Sequence, residues 1–368
     1  MRKALILSSA ALLALVACSK VDAPVESQRE ISFQVAKYLQ TRASGVKYEN
    51  GNFGTYSWYN AEDPFMTNEE VGEVGGQWKT VNHTFFWPKT GSIDFISYSP
   101  FAGTNAVAGT VPSVTNNGGE YTLAYSRYTV GEDDIMYADL ATCSSNIDDV
   151  TDDAATGTTD SGYQGVPTLF HHALAKVSFQ VQANFTEYGE GTDKTTWELT
   201  VTSAKLGGIY STGNCSLTWN ASDGAWDKPE GNVWTNPSNP TDDKELVSGN
   251  GLILTTEPQD LASVANYVLP QTLVAGAQTL SLKVHIKTTL SNGNILEEDY
   301  ESGALDLVSI ASLTAWEMNQ NIVYTIKIKP TASTPDDPNP DNPDDVIILF
   351  DPAVADWQNI ESGITIQL

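Results

Sequence analysis

The sequence predicts an all-β protein built of sandwiches, and three observations carry that prediction. Apolar and polar residues alternate with a period of two in segment after segment. Turn clusters rich in Gly, Asn and Asp separate these segments, such as Asn116-Asn-Gly-Gly119 and Ser291-Asn-Gly293. No stretch of about 12 residues or more carries the helical period. A length of 368 residues suits two domains of roughly 150 residues plus tails.

The strand segments follow in chain order. In Glu30–Leu39, residues Ile31, Phe33, Val35 and Leu39 share one face, interrupted only by Lys37. Ile93–Tyr98, Val177–Val181, Trp197–Val201, Leu280–Ile286 and Ile322–Ile328 alternate in the same way. Residues 144–165 hold five Asp and few apolar residues, so they read as a long surface loop. Residues 184–196 are weakly patterned, and the domain boundary is placed there, at 188/189. Residues 331–345 contain four Pro and five Asp. Proline blocks helix and central-strand pairing, and like charges repel, so this segment is an extended tether. Its acids lack the DxDxDG spacing of a calcium loop, so no metal site is assigned. Beyond it, Val346-Ile-Ile-Leu-Phe350 is a continuous apolar run, and Ile364, Ile366 and Leu368 share one face of Gly363–Leu368. A free hydrophobic strand is an aggregation hazard. This tail therefore either completes its own domain or is given to another subunit.

Composition excludes several functions. With 19 Lys+Arg against 46 Asp+Glu, the net charge is −27. Such a chain repels phosphate backbones, so no nucleic-acid partner is expected. Apolar residues at 40% and aromatics at 10% are enough to build real cores. Three Cys cannot form a disulfide framework. Cys143 and Cys215 read as separate buried thiols in preference to a pair. His171 and His172 are adjacent, and neighbouring strand residues point to opposite faces, so they read as structural and not as ligands of one metal ion. No GxSxG, HExxH or P-loop string occurs, and no cofactor is implied.

The N-terminus carries a sharper signal. Met1-Arg2-Lys3 precedes the apolar run of residues 4–17, which is too short to span a bilayer and fits a secretory signal. Leu15-Val16-Ala17-Cys18 resembles a bacterial lipobox, in which the Cys is acylated and the peptide is cut before it. Residues 1–17 are then a lipoprotein signal peptide, and acyl chains on Cys18 anchor the chain to a membrane.

Several strings now combine behind that lipobox. They are Phe85-Phe-Trp-Pro88, Ile93–Pro100, Asp134-Ile-Met-Tyr-Ala138, Leu169–Phe179, Tyr267-Val-Leu-Pro-Gln271 and Trp316 to Tyr324. In this order they resemble the fimbrillin-like lipoproteins of the Bacteroidetes, subunits and accessory proteins of type V pili. The resemblance implies two tandem transthyretin-like β-sandwich domains with a tethered C-terminal strand segment, and no catalysis. Its division here is a lipidated pro-segment 18–42, an N-terminal sandwich 43–188, a C-terminal sandwich 189–330, a tether 331–345 and a strand segment 346–368. It also implies assembly by protease-triggered strand exchange at the outer membrane and cell surface. A cut after Arg42, before Ala43, releases the first strand with Ile31, Phe33, Val35 and Leu39. Arg29 and Lys37 are competing cut sites, and an anchor subunit would stay uncut. Burying those four side chains is worth roughly 6–12 kcal/mol as an upper bound. The donor strand would use Val346, Ile348, Phe350, Ile364, Ile366 and Leu368. The implied partners are other fimbrial subunits, as a homo- or hetero-polymer, the outer membrane through the lipid, and a host or bacterial surface ligand. The alternative reading is a glycan-binding lipoprotein of a nutrient-uptake system. For either, Trp219, Trp226 and Trp234, in a Gly/Asn/Pro-rich region, are the candidate surface contacts.

Overall fold

The computed structural model describes residues 30–35, 48, 51–103, 109–144, 165–235, 242–247, 251–262, 266–311, 313–330 and 347–356. Their regular structure is almost entirely strand, and the one α-helix among the described residues is Leu307–Ala311. Five of the alternating segments lie inside strands that run beyond them, whereas in Glu30–Leu39 the described strand is only Phe33–Val35. Ile93–Tyr98 lies within Ser92–Ser99, Val177–Val181 within Ala175–Ala183, and Ile322–Ile328 within Gln320–Lys329.

The first sheet has nine strands. Across it lie Val166–Thr168, Phe33–Val35, Gln77–Thr80, Asp63–Val74, Phe53–Tyr59, Ser92–Ser99, Met136–Ala138 and Phe170–His172, with Ala141–Ser144 also paired to Ser92–Ser99. The sheet curls over itself. The ring of Phe33, near one edge, lies 5.6 Å from that of Phe95, four strands along. The second sheet has four strands, Ala225–Asp227, Thr212–Asn220, Glu120–Thr129 and Ser113–Asn117. Its last hairpin turns on Gly118 and Gly119, at φ 65° and 92°, the left-handed pair that a two-residue turn requires. Between the two sheets, Trp58, Ile96, Tyr98 and Tyr137 pack against Tyr121, Leu123, Tyr125 and Leu217.

The other two large sheets enclose a separate core. One orders Gln259–Asp260, Ala175–Ala183, Gln320–Lys329 and Ile347–Asp356, and the other is built on Thr195–Ile209 and Thr279–Thr289, with Ile295–Glu301 at its edge. Val177, Phe179 and Val181 meet Leu199, Val201, Leu282, Val284 and Ile286 across this core. Phe179 stacks on Tyr324 at 5.1 Å, and the indole N–H of Trp316 donates to the Tyr324 hydroxyl at 3.0 Å. That bond satisfies two polar atoms that burial would otherwise leave unpaired.

Two placements differ from the sequence reading. The residues lining this last core begin at Ala175, so the expected division at 188/189 falls inside it. The hairpin of Thr212–Asn220 and Ala225–Asp227 leaves its neighbours and joins the second sheet through Glu120–Thr129. A period of two identifies strands, but it carries no information on which core each strand fills.

Ile347–Asp356 lies antiparallel to Gln320–Lys329, in register from Lys329↔Ile347 to Gln320↔Asp356. The expected donor residues Ile348 and Phe350 therefore sit opposite Ile328 and Ile326 of their own chain. Val346, Ile364, Ile366 and Leu368 lie outside the described residues, as do Cys18, Leu39, Arg42, Ala43 and the 331–345 tether.

Two glycines in left-handed conformation test the packing. A Cβ on Gly208 (φ +70°) would lie 1.9 Å from the Ala277 carbonyl oxygen, whereas one on Gly224 (φ +63°) meets nothing within 4 Å. Gly224→Ala carries only the conformational penalty, about 1 kcal/mol. Gly208→Ala adds a clash with backbone and is expected to lose more than about 2 kcal/mol in chemical denaturation. Equal losses would mean the two backbones do not approach this closely.

Candidate functional site: the slot of the first strand

The first strand is short, but it lies inside its sheet. Phe33–Val35 pairs in parallel with Val166–Thr168 on one side and meets Gln77–Thr80 antiparallel, at Phe33↔Trp78, on the other. The Ile31 N–H donates to the Phe85 carbonyl at 2.9 Å, and the Val166 N–H donates to the Ser32 carbonyl at 2.7 Å. Lys79 and Glu30 form a partly exposed ion pair at 3.2 Å, worth little by itself. Val166–Thr168 has no other sheet partner among the described residues, so the first strand is what ties it to the sheet.

Alternation sends every second side chain into one core. Ile31, Phe33 and Val35 are 1%, 4% and 8% exposed, which places the predicted face of the strand inward. Phe33 sits edge-on to Phe53 and Phe95, both at 5.6 Å. Met66, Val71, Trp87, Ile93 and Val166 complete the surroundings. Burying the three side chains is worth roughly 5–9 kcal/mol as an upper bound. Ordering the backbone of five residues costs about 5–10 kcal/mol. The two are nearly equal, so the strand is held by its main-chain bonds and by its covalent link to the rest of the chain.

That link is residues 36–47, which contain Arg42. It is bracketed by two residues of the same core, Val35 and Tyr48. Tyr48 stacks on Phe170 at 4.9 Å and bonds the Ser99 hydroxyl at 2.8 Å. Burial pushes its phenol up to about 12, against the smaller effect of the Ser99 bond. The sequence reading missed Tyr48 because a single Tyr in an unpatterned stretch gives no periodic signal.

Other candidate residues are structural. Trp226 and Trp234, expected at the surface, are only 5% and 2% exposed, and this corrects the sequence reading. Their indole N–H groups donate to the carbonyls of Ala138 and Ala173, each at 2.9 Å. Trp219 is half-buried and packs edge-on to Trp226 at 5.3 Å. The polar composition around them marks turns, while the hairpin drives the rings into the core beneath the second sheet. His171 stacks on Tyr137 and pairs with Asp139 at 3.0 Å, and His172 bonds Asp134 at 2.6 Å. No group of three or more possible metal ligands occurs among the described residues. Cys143 and Cys215 are buried in different cores, and burial pushes the Cys215 thiol up to about 12.

Phe33→Ala tests the slot. Removing a buried Phe typically costs about 3–5 kcal/mol. Hydrogen exchange at the Val166 amide should then accelerate steeply, while Ala175–Ala183 keeps its protection. Unchanged exchange at Val166 would mean that the first strand does not hold that edge.

Comparison with known proteins places this architecture. The curated proteins offer no match to the chain. Among solved structures, a fimbrial protein from Bacteroides vulgatus superposes with a TM-score of 0.56 at 18% identity, covering 89% of this chain and 99% of that one. This is a likeness of fold. The fimbrial anchor protein Mfa2 from Porphyromonas gingivalis aligns over 92% of this chain and 100% of its own at 11% identity, with a TM-score of only 0.32. The model of the fimbrillin-like family matches residues 41–357. The chain therefore belongs to the fimbrillin-like family, whose members are structural proteins and not enzymes.

Proposed function

We propose that this chain is exported as a lipoprotein acylated on Cys18 and acts as a structural or adhesive subunit of a fimbrium at the outer membrane and cell surface. Cleavage after Arg42 frees the first strand, and a strand from a neighbouring subunit takes its place. The chain forms two transthyretin-like sandwiches followed by the 331–345 tether. Its partners are other fimbrial subunits, and a surface ligand where it is adhesive.

One observation carries this reading. The first strand is buried between two strands, yet it is joined to the body only through residues 36–47, and its hold is near balance. A second supports it. Lys329 and Ile347 are opposite each other in register, so a hairpin of about 2–5 residues would join them. The chain instead uses residues 330–346, rich in Pro and Asp. On this reading the extra length lets residues 347–356 leave Gln320–Lys329 and reach a neighbouring subunit. Exposed main-chain groups beside a vacated slot add affinity of the β-addition kind. The glycan reading has lost its aromatic platform, because Trp226 and Trp234 face inward.

N-terminal sequencing of fimbriae sheared from cells should give Ala43 as the first residue. The Arg42→Ala variant should accumulate as unpolymerised, lipid-anchored monomer. Fimbriae containing only chains that start at acylated Cys18 would sink the processing step.

A further inference from the structure

The second sheet takes two of its four strands, Thr212–Asn220 and Ala225–Asp227, from a stretch whose flanks both lie in the other core. Ile209 lines that other core just before the hairpin, and Leu246 and Val247 line it again afterwards. Tyr210, one residue beyond Ile209, already packs with the side chains beneath the second sheet.

Both ends of this excursion are fastened. On the way out, the Val130 N–H donates to the Ser211 carbonyl at 2.8 Å, and the Tyr210 N–H donates to the Gln271 side-chain oxygen at 3.1 Å. On the way back, Asn214 and Thr235 exchange two main-chain bonds, at 2.8 and 2.9 Å. Trp234 closes the loop. Its ring stacks on Tyr125 at 5.8 Å, and its indole N–H donates to the Ala173 carbonyl at 2.9 Å. Its main-chain N–H donates to the Pro270 carbonyl, also at 2.9 Å. One residue thus joins the second sheet, the crossing between the cores and the later half of the chain. The cores also share a wall. Leu174 belongs to one and Ala175 to the other, and the pairs Leu269 and Val268, and Met318 and Trp316, divide in the same way. An apolar wall of this kind resists the relative motion that separate domains show by default.

We infer that the hairpin is a strap that interlocks the two cores, so that a break in the chain between them does not part them. A break in the exposed turn of residues 189–193 shows why. The piece before it keeps Ala175–Ala183, paired from Lys176↔Asn321 to Ala183↔Ile328 with a strand of the piece after it. The piece after it keeps the hairpin, paired from Thr212↔Thr129 to Thr218↔Thr122 with a strand of the piece before it. Each piece holds a strand in the other's core, and neither leaves without opening both. A fimbrial subunit at the cell surface is exposed to proteases and to tension, and this arrangement lets it outlast a cut at that turn. The strap belongs to the second sheet, so the inference stands apart from strand exchange in the first.

The test uses the full chain with a site-specific protease sequence inserted after Gly191, where an exposed turn tolerates it, and an affinity tag at the C-terminus. After cutting, the tagged piece is immobilised, and release of the untagged piece into native buffer is followed. The pieces are expected to stay together for hours and to separate in denaturant. Trp234→Phe keeps the ring and removes the indole bond to Ala173, and release should become about tenfold faster. Trp234→Ala also removes the stack on Tyr125, and release should become about 100-fold faster. Near-UV circular dichroism before cutting checks that each variant is folded, and where the Ala variant is not, the Phe variant decides. Release of the wild-type piece as soon as the chain is cut would overturn the interlock. Equal release from the wild type and the folded Trp234 variants would overturn the strap and assign the hold to Ala175–Ala183 alone.

Discussion

The structure turns on one strand whose burial nearly balances the entropy of holding it. Ile31, Phe33 and Val35 fill a core that the rest of the chain has already shaped, and the nearest rings, Phe53 and Phe95, come from strands that stay paired without it. The first strand thus completes its sheet. A strand so placed is kept by tethering, because its effective concentration at the slot is high while the link lasts. The curl of the nine-stranded sheet brings Phe33, near one end, against Phe95 in the middle.

Much of the fold was legible in the sequence, and the reason is the period of two. Ile93, Phe95, Val177, Phe179, Leu282, Val284, Ile322 and Ile326 are buried, as their alternation implied. So are Ile31, Phe33 and Val35, because a strand with one apolar face has few other ways to satisfy it. Alternation does not encode partners. Trp226 and Trp234 were misjudged because the polar residues around them describe a turn, whereas their burial depends on Glu120–Thr129, about a hundred residues away in the chain. The division at 188/189 rests on a related kind of signal. A weakly patterned loop marks a gap between strands, and Ala175–Ala183 before it shares a core with Thr195–Ile209 after it. The slot itself was legible only in part. Phe85 and Trp87 stood out as an aromatic string, but Tyr48 and Val166 gain their role from a curled sheet that no local pattern announces.

An exposed sheet edge pairs with stray strands unless it is blunted. The edge strand Ile295–Glu301 carries Glu297, Glu298, Asp299 and Glu301. Asp299 and Glu301 are matched across the strand by His285 at 2.8 Å and Lys283 at 2.7 Å. Any strand docking there would have to lie beside this row of carboxylates. The opposite edge of the first sheet side, Val166–Thr168, is three residues long, and Pro167 offers no N–H. Ser113–Asn117 is polar and ends in a tight Gly-Gly turn. The acid surplus is therefore more than a solubility device. Part of it stands where an exposed edge would otherwise pair at random.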